Sequence, residues 1–157
     1  MLLGCIGGGT YLYMNWPSVY EQREGPNTYW SVNWPHGWET RSTPDPENLT
    51  RVMSGGPLTD EISGTGWAFA IVHGTLVWPT MVVEKLGTTP DKLIEDKLID
   101  NKRCIIYEYE DNVTRFMGCA VERGDILVYV NIGCPKANFE QMRPKLEKVI
   151  MSVRCVR

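Results

Sequence analysis

The stretch from Arg103 to Ile132 constrains this chain more than any other. It reads as three β-rich runs joined by two tight turn signals, Asp111-Asn112 and Arg123-Gly124, which is the pattern of an antiparallel meander. With Asp111-Asn112 as a two-residue turn, Tyr107 faces Phe116, Glu108 faces Arg115 and Cys104 faces Cys119. The first two are favourable cross-strand pairs. With Arg123-Gly124 as the second turn, Met117 faces Val130 and Cys119 faces Val128. Successive side chains alternate between the faces of a sheet. One face therefore carries Cys104, Ile106, Met117, Cys119, Val121, Ile126, Val128, Val130 and Ile132. The other carries Ile105, Tyr107, Tyr109, Phe116, Ala120, Leu127 and Tyr129. Neither is polar. A sheet with one solvated face alternates apolar with polar residues, so both faces need cover. The fold class that follows is α+β, an antiparallel sheet with helices on both faces, an α/β/α sandwich.

The rest of the chain supplies candidates for those layers. Thr28–Asn33 reads as a strand with Trp30, Val32 and Trp34 on one face, followed by a turn at Pro35-His36-Gly37 and short strands at Trp38–Arg41 and Leu49–Ser54. Ser42–Glu47 and the glycine-rich Gly55–Gly66 read as exposed loops, and Trp67–Val77 and Thr80–Leu86 as further strands. Thr89-Pro90 is a helix-start signal, and Leu93, Ile94, Lys97 and Leu98 predict a helix over Pro90–Asp100. Asn138 with Gln141 resembles a capping box. Pro144 would break a helix running through it, so the last helix is expected to start there, with Leu146, Val149, Ile150 and Val153 as its stripe. Residues 1–27 read as a tether, with a short helix around Ser18–Arg23, and 28–157 as one domain. The chain of 157 residues, 43% hydrophobic and 22% charged, is long enough for one such core. A net charge of −3 with no basic stripe argues against a nucleic-acid partner. No apolar run approaches a membrane-spanning length.

The start, Leu2-Leu3-Gly4-Cys5, resembles the lipobox of bacterial and archaeal lipoproteins. The resemblance implies a signal peptide cleaved before Cys5 and a lipid on Cys5, hence an extracytoplasmic protein held at a membrane surface. Gly7-Gly8-Gly9 suits a flexible tether. No basic region and no full apolar region precede Cys5.

Two segments resemble PsbP-like domains. Trp30-Ser31-Val32-Asn33-Trp34-Pro35-His36-Gly37-Trp38 is similar to their opening. Phe139-Glu140-Gln141-Met142-Arg143-Pro144, continuing to Ser152-Val153-Arg154, is similar to their close, with Val153 in place of the usual aromatic. The resemblance spans Thr28 to Arg154. It implies the sandwich shared by PsbP, the Mog-type Ran-binding protein and the DcrB lipoproteins. It also implies a binding or assembly factor without a shared active site.

Read residue by residue, the chain offers no catalytic constellation. His36 and His73 are its only histidines, and no His-x-x-His or Cys-x-x-Cys motif supports a metal site. Neither a cofactor nor a nucleotide loop is indicated. A Cys119–His73 nucleophilic pair competes with the ordinary reading of Cys119 as a core thiol. Cys104, Cys119, Cys134 and Cys155 permit two disulfides. The expected register favours Cys104–Cys119, leaving Cys134 and Cys155, and four buried thiols are the alternative. Asn48-Leu49-Thr50 and Asn112-Val113-Thr114 match N-glycosylation acceptors. Trp16, Trp38 and Trp78, near the tether or turns, are the candidates for an exposed binding surface, with Trp30, Trp34, Trp67 and Phe69 in the core. The expectation is a lipid-anchored, non-enzymatic module that binds an envelope protein. The alternative is a small-solute or glycan-binding domain using the Trp-rich first half.

Overall fold

The structure is a computed structural model, and it describes residues 18–24, 27–43, 51–72, 92–99 and 102–155. The described residues form ten strands: β1 (Ser18–Glu24), β2 (Asn27–Trp34), β3 (Glu39–Thr43), β4 (Arg51–Pro57), β5 (Ser63–Val72), β6 (Lys92–Ile99), β7 (Lys102–Glu110), β8 (Thr114–Arg123), β9 (Ile126–Pro135) and β10 (Arg154–Cys155). A 3₁₀ turn at Lys136–Asn138 leads into helix α1 (Phe139–Met151). Seven strands make one antiparallel sheet in the order β3-β4-β5-β9-β8-β7-β6, and β1-β2-β10 make a smaller one. The meander β7-β8-β9 lies inside the large sheet.

Both turns of the meander sit one residue later than the sequence suggests. Asp111 donates its N–H to the Thr114 carbonyl at 3.0 Å, and its Oδ1 accepts the amides of Val113 (2.9 Å) and Thr114 (2.7 Å). Asp111 closes the turn instead of occupying it, as aspartates that bond the backbone ahead of them do. At the second turn Gly124 has φ +60°, a left-handed conformation that the first central residue of a tight hairpin requires and glycine adopts freely. A one-residue displacement on each strand moves every partner by two. Cys104 therefore faces Val121, and Cys119 lies between Ile106 and Val130. The expected Cys104–Cys119 disulfide is not formed, and Cys104, Cys119 and Cys134 are buried cysteines outside any disulfide.

A two-residue displacement leaves each side chain on its own face. The first face of the meander, with Ala68 and Ala70, packs against Trp30, Val32 and Trp34 of β2 and against Phe139, Met142, Leu146, Val149 and Ile150 of α1. The second face is a separate, mostly aromatic cluster of Phe69, Ile105, Tyr107, Tyr109, Phe116, Ala120, Leu127 and Tyr129, with Trp67 against it. Rings stack along it, Phe69 on Tyr129 at 4.8 Å and Tyr109 on Phe116 at 4.8 Å.

Three expected helical features differ. Ser18–Glu24 is a strand paired with β2. Lys92–Ile99, expected within a helix, is an edge strand paired with β7, with an irregularity between Leu93 and Glu95. Its apolar spacing fits a helix, but adjoining backbone on β7 outweighs so short a local preference. The segment thus extends the sheet instead of covering its second face, and α1 is the one helix among the described residues. That helix begins at Phe139, five residues before Pro144. An interior proline costs about 3 kcal/mol, whereas burying Phe139 and Met142 returns roughly 1.5–3 kcal/mol each. Both are at least 95% buried on the stripe that continues through Leu146 and Val149.

The glycine-rich stretch expected as a loop is mostly strand. β4 and β5 run to a tight turn in which Leu58 donates to the Ile62 carbonyl at 2.7 Å. A Cβ on Gly56 would lie 2.7 Å from the Trp38 ring, and one on Gly66 would lie 2.6 Å from Trp34. These glycines admit the tryptophans to the sheet surface.

Candidate functional site

One end of the large sheet gathers the β4–β5 turn, the β7–β8 turn and the passage from β9 into α1. There, Thr59, Asp60, Glu61, Ile62, Asn138 and Gln141 line an open cleft of about 470 Å³. The Thr59 Oγ1 accepts the amides of Glu61 (3.3 Å) and Ile62 (3.0 Å), which shapes the turn. Lys145 of α1 donates to the Leu58 carbonyl and ties the turn to the helix. The expected capping box does not form, because the Asn138 side chain makes no capping bond. Asn138 and Gln141 instead line the cleft. Two carboxylates, two amides and a hydroxyl make a surface suited to hydrogen bonding, and the lining residues include no cysteine, serine or histidine.

A charged cluster braces the same end. Glu108, near the end of β7, has a side chain only 1% exposed. Arg115 of β8 donates to its Oε2 at 2.7 Å, and Arg143 of α1 donates to its Oε1. Arg115 also donates to Glu110 at 3.0 Å, Lys136 donates to Glu110 at 3.0 Å, and Arg143 grips Glu140 through two bonds of 2.8 and 2.7 Å. The Phe139 ring has both guanidinium groups against it, 5.3 Å from Arg115 and 5.0 Å from Arg143, within cation–π range. Burial disfavours charge on Glu108, but the hydrogen bonds from Arg143 and Arg115 and their charges outweigh it and hold its carboxyl below the usual range. The Arg143 guanidinium is held still more firmly charged by Glu140 and Glu108. The cluster fastens the start of α1 to β7 and β8, so it fixes where Asn138 and Gln141 stand.

The residues expected to carry function separate. Trp38 is 6% exposed, stacked on Trp34 at 5.9 Å, and its indole N–H donates to the Pro57 carbonyl at 2.9 Å. It belongs to the core, which corrects its expected place on a binding surface: the turn at Pro35–Gly37 folds its ring inward over Gly56. His36 is exposed on that turn, and Asn112 is exposed on the β7–β8 turn. Cys104, Cys119 and Cys134 are buried, and burial pushes the Cys119 thiol well up and the Cys134 thiol up, away from nucleophilic use. Cys155 lies in β10 opposite Trp30. Cys5, Trp16, Asn48, His73 and Trp78 lie outside the described residues. Among the described residues no group of three or more potential ligands converges on a metal position. Nor is any helix among them long and apolar enough to cross a membrane.

The expected pairing of Glu108 with Arg115 holds as an ion pair, although Arg115 lies opposite Glu110 and Met117 opposite Glu108 in the register. The sequence did not show that Arg143 completes the cluster. Arg143 went unnoticed because the helix was expected to begin after it.

No family model and no curated protein matches this chain. Solved structures do. The solution structure of cyanobacterial PsbP (CyanoP) from Synechocystis sp. PCC 6803 superposes with a TM-score of 0.60, at 13% identity, over 98% of this chain and 98% of that one. The chain has a PsbP-like fold. A Pseudomonas aeruginosa protein of unknown function (TM-score 0.47, 12% identity, 84% of this chain and 92% of that one) is more distant. So is a Bacteroides thetaiotaomicron protein (0.49, 16%, 90% and 49%). In this PsbP-like chain, Phe139, the aromatic that opens the closing segment, is the ring held against Arg115 and Arg143.

Proposed function

We propose that this PsbP-like chain is a lipid-anchored, extracytoplasmic binding or assembly module whose partner is another protein of the cell envelope. The likeness to cyanobacterial PsbP over 98% of both chains carries the reading. The lipobox-like Leu2–Cys5 supplies the anchor. The cleft between the β4–β5 turn and α1 supports a binding role, because its groups can exchange hydrogen bonds with a partner while the described thiols are buried away from it. The solute-binding alternative loses support from Trp38, which is committed to the core.

Cross-linking in intact cells, followed by purification of the full-length chain from native membranes, tests the partner. A reproducible envelope protein, lost when Asp60, Glu61 and Gln141 are replaced together by alanine, is expected. Recovery of no reproducible partner sinks the binding reading. For the anchor, a Cys5→Ser precursor should leave the membrane fraction; if it stays there, Cys5 is not the attachment point.

A further inference from the structure

The β7–β8 turn carries a feature that neither the fold nor the cleft uses. Asn112-Val113-Thr114 is an acceptor motif for N-linked glycan, and the structure presents it in a form a transferase can reach. Asp111 takes up the turn's amides through Oδ1, and the Val113 carbonyl accepts from Lys136 at 3.1 Å. The turn is therefore held from both sides, by the Asp111 carboxylate and by the backbone bond from Lys136. The Asn112 side chain takes no part in them: it is exposed and makes no hydrogen bond among the described residues. Beside it Val113 is 72% exposed, the most exposed large hydrophobic among the described residues.

We propose that Asn112 is the attachment site of an N-linked oligosaccharide. The proposal rests on the extracytoplasmic location proposed above, since the donor is consumed on that side of the membrane. The Asn112 Nδ2 attacks C1 of the first sugar of a polyprenyl-phosphate-linked oligosaccharide. The bond from C1 to the phosphate oxygen breaks, and the phosphate leaves with the electron pair. One Nδ2 proton passes to a base of the transferase. No atom changes oxidation state, and an amide N–H has been exchanged for an N–glycosyl bond. The turn lies at the same end of the sheet as the cleft, so the glycan limits the directions from which a partner approaches.

The test uses full-length protein purified from its native cells, with its fractionation and external protease accessibility recorded, and mass spectrometry of the peptide containing Asn112. A glycan mass on Asn112 is expected, absent in N112Q and in T114A, which keeps the asparagine but removes the hydroxyl, and retained in T114S. Thr114 enters the turn through its backbone, so T114A should melt with the wild type. An unmodified Asn112 on externally accessible protein overturns the glycan and leaves the location standing. An unmodified Asn112 on protein found only inside the cell overturns both. A glycan that persists in T114A, or that lies only on Asn48, also overturns the assignment.

Discussion

Replacing Glu108 by glutamine removes one charge from the bracing cluster and changes almost no volume. The loss can be bounded from the surroundings. Removing one partner of a buried ion pair costs roughly 3–5 kcal/mol when the other charge is left stranded. Here neither arginine is stranded. Arg115 keeps Glu110, Arg143 keeps Glu140, and the two side chains are 26% and 24% exposed. What is lost is the charged character of two hydrogen bonds, worth about 1.5–3 kcal/mol each, and the glutamine carbonyl retains one of them as a weaker neutral bond. A neutral side chain is also less costly to bury. The expected net loss is about 2 kcal/mol, or a fall in Tm of about 4–8 °C for a chain of this size. Urea titration of both proteins measures it, with an unchanged slope showing that the unfolded state is the same. The pH dependence gives the sign. The Glu108 carboxyl is held below its ordinary value in the folded state, so its contribution is fully present above about pH 5. It is lost as pH falls through the folded value. Glu110 and Asp111 are depressed too, but both proteins share them and they cancel in the difference. The gap between wild type and E108Q should therefore be level at neutral pH and shrink as the pH falls below the ordinary carboxylate range. A gap below about 0.5 kcal/mol at neutral pH, or one that does not narrow in acid, would refute the bracing role.

Trp38→Ala should cost about 3–5 kcal/mol, through the lost stack on Trp34 and the indole bond to Pro57; thermal denaturation within a degree or so of wild type would return Trp38 to the surface. Gly118→Ala should destabilise by about 3 kcal/mol or prevent folding, because its Cβ would lie 2.4 Å from the Asn131 Oδ1 and 2.5 Å from the Tyr107 ring; circular dichroism and urea titration measure it, and a wild-type midpoint would show that this contact is not tight. Cys104, Cys119 and Cys134 should resist a thiol reagent in the native state and react on unfolding, since all three are buried; mass spectrometry of labelled peptides reads this, and rapid native labelling of Cys119 would contradict its place in the core.

The division of the meander's side chains between its two faces was legible because it depends on parity. Placing each meander turn one residue early leaves Cys104, Ile106, Met117 and Cys119 on one face and Ile105, Tyr107 and Phe116 on the other. Register depends on which residue closes the turn, and that was decided by the Asp111 carboxylate bonding forwards and by the left-handed Gly124. The proposed disulfide depended on register and failed with it. Lys92–Ile99 was not legible for a different reason. Its apolar positions suit a helix, and only a neighbour distant from local periodicity, the free edge of β7, makes it a strand.

The cleft was hidden by two errors with one origin, the treatment of glycine and proline as punctuation alone. Gly55–Gly66 looked like a loop because it lacks side chains, yet Gly56 and Gly66 lack them where Trp38 and Trp34 lie on the strands. With that stretch read as strand, its turn shrinks to Leu58–Ile62 and becomes one wall of the cleft. Pro144 looked like a helix start, yet Phe139 and Met142 bury enough surface to carry the helix through it. With the helix begun at Phe139, Arg143 comes within reach of Glu108, and Asn138 and Gln141 become the opposite wall. The brace and the cleft are thus consequences of one helix start. A variant that unwinds Phe139–Arg143 should lose both together, whereas E108Q should weaken the brace and leave Gln141 in the helix.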